Sequence, residues 1–210
     1  MSCRRPFRER RVTYAGRVTV RIGVFGGTFD PPHNGHLVAA LGARHGLGLR
    51  EVLVVPAGEP WQKAGAVAAG AGDRYALVEA AIDGVDGLRV CSLEVDRDGP
   101  TYTADTLAAL AAPDAELVLV LGADAVRGLG SWMRVDEIRA RASLAIVDRD
   151  GDAVAEPPGD GWRAEHVTIP RLEISSRDLR ERLARGEPVD GMMPPAVIRM
   201  VRERGLYTRR

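Results

Sequence analysis

The sequence predicts an α/β protein built on a doubly wound, Rossmann-like parallel sheet, with a small helical segment at its C-terminal end. Three observations carry that reading. Short runs of Val, Leu and Ile recur without polar alternation, as strands buried on both faces require. Stretches of helical spacing separate most of these runs, which is the order of βαβ units. The chain of 210 residues, 45% hydrophobic and 28% charged, is also large enough for one core without disulfide or structural metal.

Taken in order, the strands are "VRIGVF" (20–25), "EVLVVP" (51–56), "LRVCSLEV" (88–95), "AELVLVLG" (115–122), "ASLAIVD" (142–148) and "AEHVTIP" (164–170). The helices are 34–45, about 73–83, 103–111, 123–140, 176–185 and 194–204. Two stretches read as loops. "AGEPWQKAGAVAAGAG" (57–72) is long and Gly/Ala-rich, which suits a mobile substrate loop, and the acidic "DRDGDAVAEPPGDGW" (148–162) suits a solvated connection. Open sheets of this kind bind ligands beyond the carboxyl ends of their strands.

Charge and cysteine content narrow the function classes. Residues 1–21 hold seven Arg and one acid, leaving 22 basic against 28 acidic residues in the body. That balance argues against a nucleic-acid-binding face on the folded part. No run reaches the ~18 apolar residues of a membrane span, and the basic start lacks the apolar stretch of a secretory signal. Cys3 and Cys91 have no metal-ligand spacing and are read as reduced cytoplasmic thiols. Lys63 is the sole Lys among 29 basic residues, so that position favours a compact ammonium on a flexible stem.

The chemistry concentrates in "VFGGTFDPPHNGHLVAA" (24–40), which holds two of the four histidines. The Gly26–Gly27 pair admits a close backbone approach, and Asn34 is the expected helix N-cap. A helix start offers unpaired N–H groups and a positive dipole end, which together favour an anion. His33 and His36, three apart, share one face of that first turn. Better-known phosphate loops do not fit: no Lys–Ser/Thr pair follows the glycines, and "GVFGG" lacks the G-x-G-x-x-G spacing. His45 and His166 supply no third zinc ligand at a metal-like spacing.

"GGTFDPPHNGHL" (26–37) resembles the signature of the HxGH nucleotidyltransferases, in the form carried by the nicotinate mononucleotide adenylyltransferases, with an actinobacterial-like "PWQK". Further stretches resemble that family in order: "VVPAGEPWQK" (54–63), "GPTYTADTL" (99–107), "LGADAVRGLGSW" (121–132) and "ISSRDLRERL" (174–183). The resemblance covers about residues 22 to 207. It implies a cytoplasmic enzyme of NAD biosynthesis that adenylylates nicotinate mononucleotide with ATP, releasing deamido-NAD and pyrophosphate. Residues 1–19 are then a basic extension, expected to be disordered, and 20–210 a single nucleotidyltransferase domain.

By the same resemblance, Gly26, Gly27, Thr28 and Phe29 hold phosphates, and His33 and His36 donate to the triphosphate. Asp124 meets a ribose of the adenylate side; Ser175, Ser176 and Arg180 meet the β- and γ-phosphates. The acceptor falls to Thr28, Gly58, Lys63, Thr103, Trp132 and Arg149, with Trp132 stacking on the ring. His33, His36, Lys63 and Arg180 are the candidate catalytic residues. Asp105 and Thr106 are expected to cap and shape the helix. Mg²⁺ is expected on the ATP phosphates rather than on a carboxylate cluster. ATP and nicotinate mononucleotide are the expected partners, with no nucleic acid or membrane, and self-association into a homo-oligomer stays open.

Three positions depart from the family pattern. Arg177 stands where a Thr is usual, with Leu179 in place of Ile beside it, and Met133 where an aromatic is common. Two alternatives therefore accompany the main reading. One is an adenylyltransferase for another phosphorylated acceptor, nicotinamide mononucleotide or phosphopantetheine. The other is a nucleotide-binding module without turnover.

Overall fold

The computed structural model describes residues 19–60, 67–151 and 153–208. The expectation for residues 1–18 and the assignment of Lys63 lie outside these residues. The strands are β1 (Val20–Gly27), β2 (Glu51–Pro56), β3 (Leu88–Val90), β4 (Ala115–Gly122), β5 (Ala142–Arg149) and β6 (Ala164–Ile169). They form one sheet in the order β3-β2-β1-β4-β5-β6, with every pairing parallel. The chain order reverses between β1 and β4, which makes the crevice at their carboxyl ends the natural ligand position.

Strand side chains alternate between two apolar layers, as a doubly covered sheet demands. Phe25, Val52, Val54, Val118 and Val120 face one layer, which holds α1 (Asn34–Gly46), α2 (Ala71–Ile82), α6 (Ser176–Arg185) and α7 (Pro195–Glu203). Val24, Leu53, Val55, Leu119 and Leu121 face the other, with α3 (Thr103–Leu110), α4 (Ala123–Gly128) and α5 (Val135–Arg141). Helix α1 presses close to β6: a Cβ on Gly42 would meet Ile169 Cγ2 at 2.5 Å. Only glycine permits that approach.

Three expectations are corrected. The strand read over 88–95 keeps only Leu88–Val90, because the chain leaves the sheet to carry Glu94 under Gly58, where a Cβ would meet the Glu94 carbonyl at 2.1 Å. The helix read over 123–140 breaks into α4, a 3₁₀ turn (Leu129–Ser131) and α5. Gly128 and Gly130 weaken the helix there, and Arg134 adopts a left-handed conformation at φ 56°. Buried Cys91 is disulfide-bonded, where a reduced thiol was expected.

Candidate active site

The connection from β1 to α1 builds the anion cradle. Phe29 turns left-handed at φ 49° and is buried, packing edge-on against Phe25 and His36. Its ring folds back so closely over Gly27 that a Cβ there would meet it at 2.8 Å. Gly26, by contrast, has open space where a Cβ would stand. One glycine thus accommodates the turn, and the other leaves backbone bare at the mouth of the cavity.

His33, not Asn34, is the N-cap of α1; Asn34 instead donates from its side chain to the Gly191 carbonyl at 2.8 Å and from its backbone to Met192 at 2.9 Å. His36 Nδ1 accepts from the His33 amide at 3.2 Å. In the neutral ring this fixes the proton on Nε2, making that nitrogen a donor. The two imidazoles stack with centroids 3.7 Å apart. Burial, helped by the nearby charge of Arg149, pushes His33 down to about 4 from the ordinary 6.5. His33 is therefore neutral near pH 7.

Asp30, buried at the heart of the motif, was not singled out from the sequence. Its carboxylate accepts from the amides of Ala68 (2.8 Å) and Ala69 (3.1 Å) and from the Tyr207 hydroxyl (2.8 Å). Helix α6 docks on the same loop. Arg180 Nη1 donates to the Asp30 carbonyl at 2.7 Å and lies 3.8 Å from its carboxylate; Ser176 Oγ donates to the Pro31 carbonyl at 2.8 Å. Ser175 is the cap of α6, accepting from the Asp178 amide at 3.1 Å. Between the two serines the division of labour is clear: one starts the helix and the other fastens it to the cradle.

Beside the cradle opens a cavity of about 900 Å³ at the carboxyl ends of β1, β2 and β4. Of the residues singled out in the sequence, Gly26, Gly27, Thr28, Thr103, Asp124 and Trp132 line it together. Thr103 opens α3, whose first-turn amides include orphan donors. Trp132 follows the 3₁₀ turn, half-buried, beside the 49% exposed Met133. Asp124 is exposed in the first turn of α4 and paired with Arg127.

Asp105 does not cap α3, where Tyr102 holds that position; it pairs with Arg134 at 2.6 Å and tethers the Trp132 segment to the helix. Thr106 donates to buried Glu94 at 2.7 Å. Glu94 also lines the cavity, and its carboxyl is pushed up by burial, with the Thr106 and Thr101 hydrogen bonds opposing. Gly58 does not line the cavity directly; its carbonyl is held by a buried Arg74, described below. Arg149 ends β5, exposed, on the side of His33.

Comparison with known proteins agrees with this geometry. A family model described as cytidylyltransferase-like matches residues 24–182. The chain is 44% identical over 189 residues to the "Probable nicotinate-nucleotide adenylyltransferase" of Saccharopolyspora erythraea, covering 89% of each. It is 41% identical over 197 residues to the protein of the same name from Acidothermus cellulolyticus, covering 90% of this chain and 95% of that one. In fold it resembles Plasmodium falciparum nicotinic acid mononucleotide adenylyltransferase complexed with NaAD. That likeness has a TM-score of 0.73 at 19% identity, over 90% of this chain and 97% of the other. A parallel sheet reversing at β1 and β4, with a histidine pair at the first helix start, thus marks a chain that belongs to the cytidylyltransferase-like family.

Proposed function

We propose that this enzyme transfers the adenylyl group of ATP to nicotinate mononucleotide, giving deamido-NAD and pyrophosphate. One observation carries the reading: a single cavity joins the bare backbone at Gly26 to Trp132 and the start of α3. A phosphate chain and an aromatic ring can therefore lie side by side. The names borne by relatives above 40% identity across most of the chain support the same acceptor.

In this reaction the acceptor phosphate oxygen forms the new bond to the α-phosphorus while the bond to the bridging oxygen breaks and pyrophosphate departs. The attacking oxygen is already anionic, so no side-chain base is needed. Rate comes from in-line alignment and from donors placed where charge accumulates. Gly26, Gly27, Thr28 and the Phe29 backbone would hold the mononucleotide and triphosphate. His36, its Nε2 proton fixed by the His33 amide, would donate to the phosphates. His33 enters neutral, and a bound polyanion would draw its pKa upward, strengthening it as a donor when substrate is present.

Ser175, Ser176 and Arg180 would serve the β- and γ-phosphates, and Asp124 a ribose hydroxyl. On the acceptor side, Thr103 and neighbouring amides at the α3 start would favour carboxylate over amide, because an amide nitrogen presents hydrogens to donors. Trp132 would stack on the ring, with Thr28, Lys63 and Arg149 toward the phosphate. Among the described residues no group of three or more His, Cys, Asp or Glu could hold a metal ion. The donors present suit phosphate, so Mg²⁺ would arrive on ATP, where it neutralises phosphate charge. Residues 20–210 would act as one domain, in the cytoplasm.

The test is pyrophosphate release by purified protein with ATP and Mg²⁺, offering nicotinate mononucleotide, nicotinamide mononucleotide or phosphopantetheine. Preference for the first supports the proposal. Preference for another acceptor keeps the cradle and removes the roles given to Thr103 and Trp132. ATP binding without turnover would make the chain a sensor.

A further inference from the structure

Arg74 is 1% exposed in the second turn of α2, where an apolar side chain would be the cheaper occupant. Its guanidinium donates to backbone carbonyls of two loops. Nη1 donates to Thr28 at 3.0 Å, Nη2 to Gly58 at 2.8 Å and Nε to Ala69 at 3.1 Å. Thr28 belongs to the anion cradle. Gly58 and Ala69 are the two feet of the β2–α2 connection, the loop whose family counterpart serves the acceptor. One planar guanidinium therefore fixes both feet of that loop and ties them to the cradle.

The peptide at Ala69 closes a ring. Its amide is held by Asp30 and its carbonyl by Arg74, so a carboxylate from the cradle loop and a guanidinium from α2 bracket it. The nearby carboxyl groups of Asp30 and Glu94 offset the buried charge of Arg74. A lysine would keep the charge but not the geometry, because one ammonium cannot copy a planar fork spread over three acceptors.

We propose that Arg74 is a positioning residue that sets the separation between the triphosphate cradle and the acceptor loop, and thereby the in-line alignment of the two substrates. The inference rests on the adenylyl-transfer reading above. It goes beyond it by assigning alignment to a side chain that touches neither substrate. Displacement of reacting groups by about 1 Å from a remote change lowers turnover by on the order of 100-fold.

The experiment compares wild type, Arg74→Lys, Arg74→Met and Leu77→Ala in the same pyrophosphate-release assay, with thermal melts and ATP titrations. Leu77, fully buried on the same helix, controls for lost packing. The expected result is a kcat 30- to 100-fold lower in Arg74→Lys and lower still in Arg74→Met, on the order set by such displacement. KM and ATP affinity should stay within about threefold, as for a change that misaligns bound substrates without removing a contact to either. Leu77→Ala should melt earlier with kcat unchanged. If Arg74→Met fails to fold, Arg74→Lys carries the test. Full kcat in folded Arg74→Lys overturns the proposal while wild-type activity keeps the adenylyl-transfer reading. Loss of kcat in Leu77→Ala equal to that in Arg74→Lys reduces Arg74 to packing. A wild type inactive with every acceptor removes both readings at once.

Discussion

His33 and His36 occupy the same helix turn but meet different environments, and their variants should separate accordingly. His33 is held down at about 4 by burial and by Arg149, against about 6.5 in the unfolded chain. The unfolded state therefore binds the proton more readily. Stability is intact above pH 6.5, falls as pH drops through 6.5 toward 4, and loses no more from this group below that. The loss is about 3 kcal/mol. Denaturation midpoints measured from pH 7.5 to 4 should show a steeper fall for wild type than for His33→Asn; parallel curves would contradict the assignment. His36 contributes through its Nε2 donor. Removing a hydrogen bond to a charged partner costs ~1.5–3 kcal/mol, so His36→Ala should lower kcat by roughly 10- to 150-fold, and it should also melt earlier because the His33 amide loses its acceptor and Phe29 a ring contact. The histidines were legible because nothing but their own spacing was needed to notice them. Asp30 stood in the same motif and passed unmarked, since its partners lie at Ala68, Ala69 and Tyr207, far away in sequence.

At the level of elements, two close contacts invite measurement. A methyl on Gly42 would collide with Ile169 where α1 crosses β6, and overpacking of this kind costs about 1–3 kcal/mol. Gly42→Ala should lower the unfolding free energy measured by urea titration by that amount, and an unchanged value would mean that α1 moves off the strand freely. Tyr207→Phe removes the hydroxyl that serves buried Asp30. A hydrogen bond to a charged group contributes ~1.5–3 kcal/mol, so the variant should melt earlier and lose adenylyl transfer in proportion to cradle disorder. Six strands and most helices could be read from apolar runs and spacing alone. Where the reading failed, the cause was tertiary: β3 stops early so that Glu94 reaches Gly58, and the helix beyond Gly122 breaks at Gly128 and Gly130. The apolar stripe of α2, Leu77, Val78 and Ala81, did carry one overlooked signal. Arg74 lies three and four residues before it, on the same face, and an arginine in line with a buried stripe asks what it binds inside.

Across the whole molecule, the site depends on residues drawn from both halves of the sheet. Removing Mg²⁺ with EDTA should abolish pyrophosphate release yet leave the melting temperature within error, because the described residues hold no group of three or more His, Cys, Asp or Glu fit to bind a structural ion. A large drop in melting temperature on chelation would instead reveal a structural ion. Arrangement of the sheet was readable from sequence, but the three-way closure over Asp30 was not, because it joins positions 30, 69 and 207 through contacts that no local pattern encodes. That closure has a consequence in time. Tyr207 follows every strand and helix of the fold, so a chain leaving the ribosome can pair β1 with β2 and begin its core long before Asp30 acquires its last partner. Architecture comes first and catalytic order last. A protease that clips just after α7 would pull the same two properties apart, leaving an assembled sheet around a cradle that no longer holds its shape.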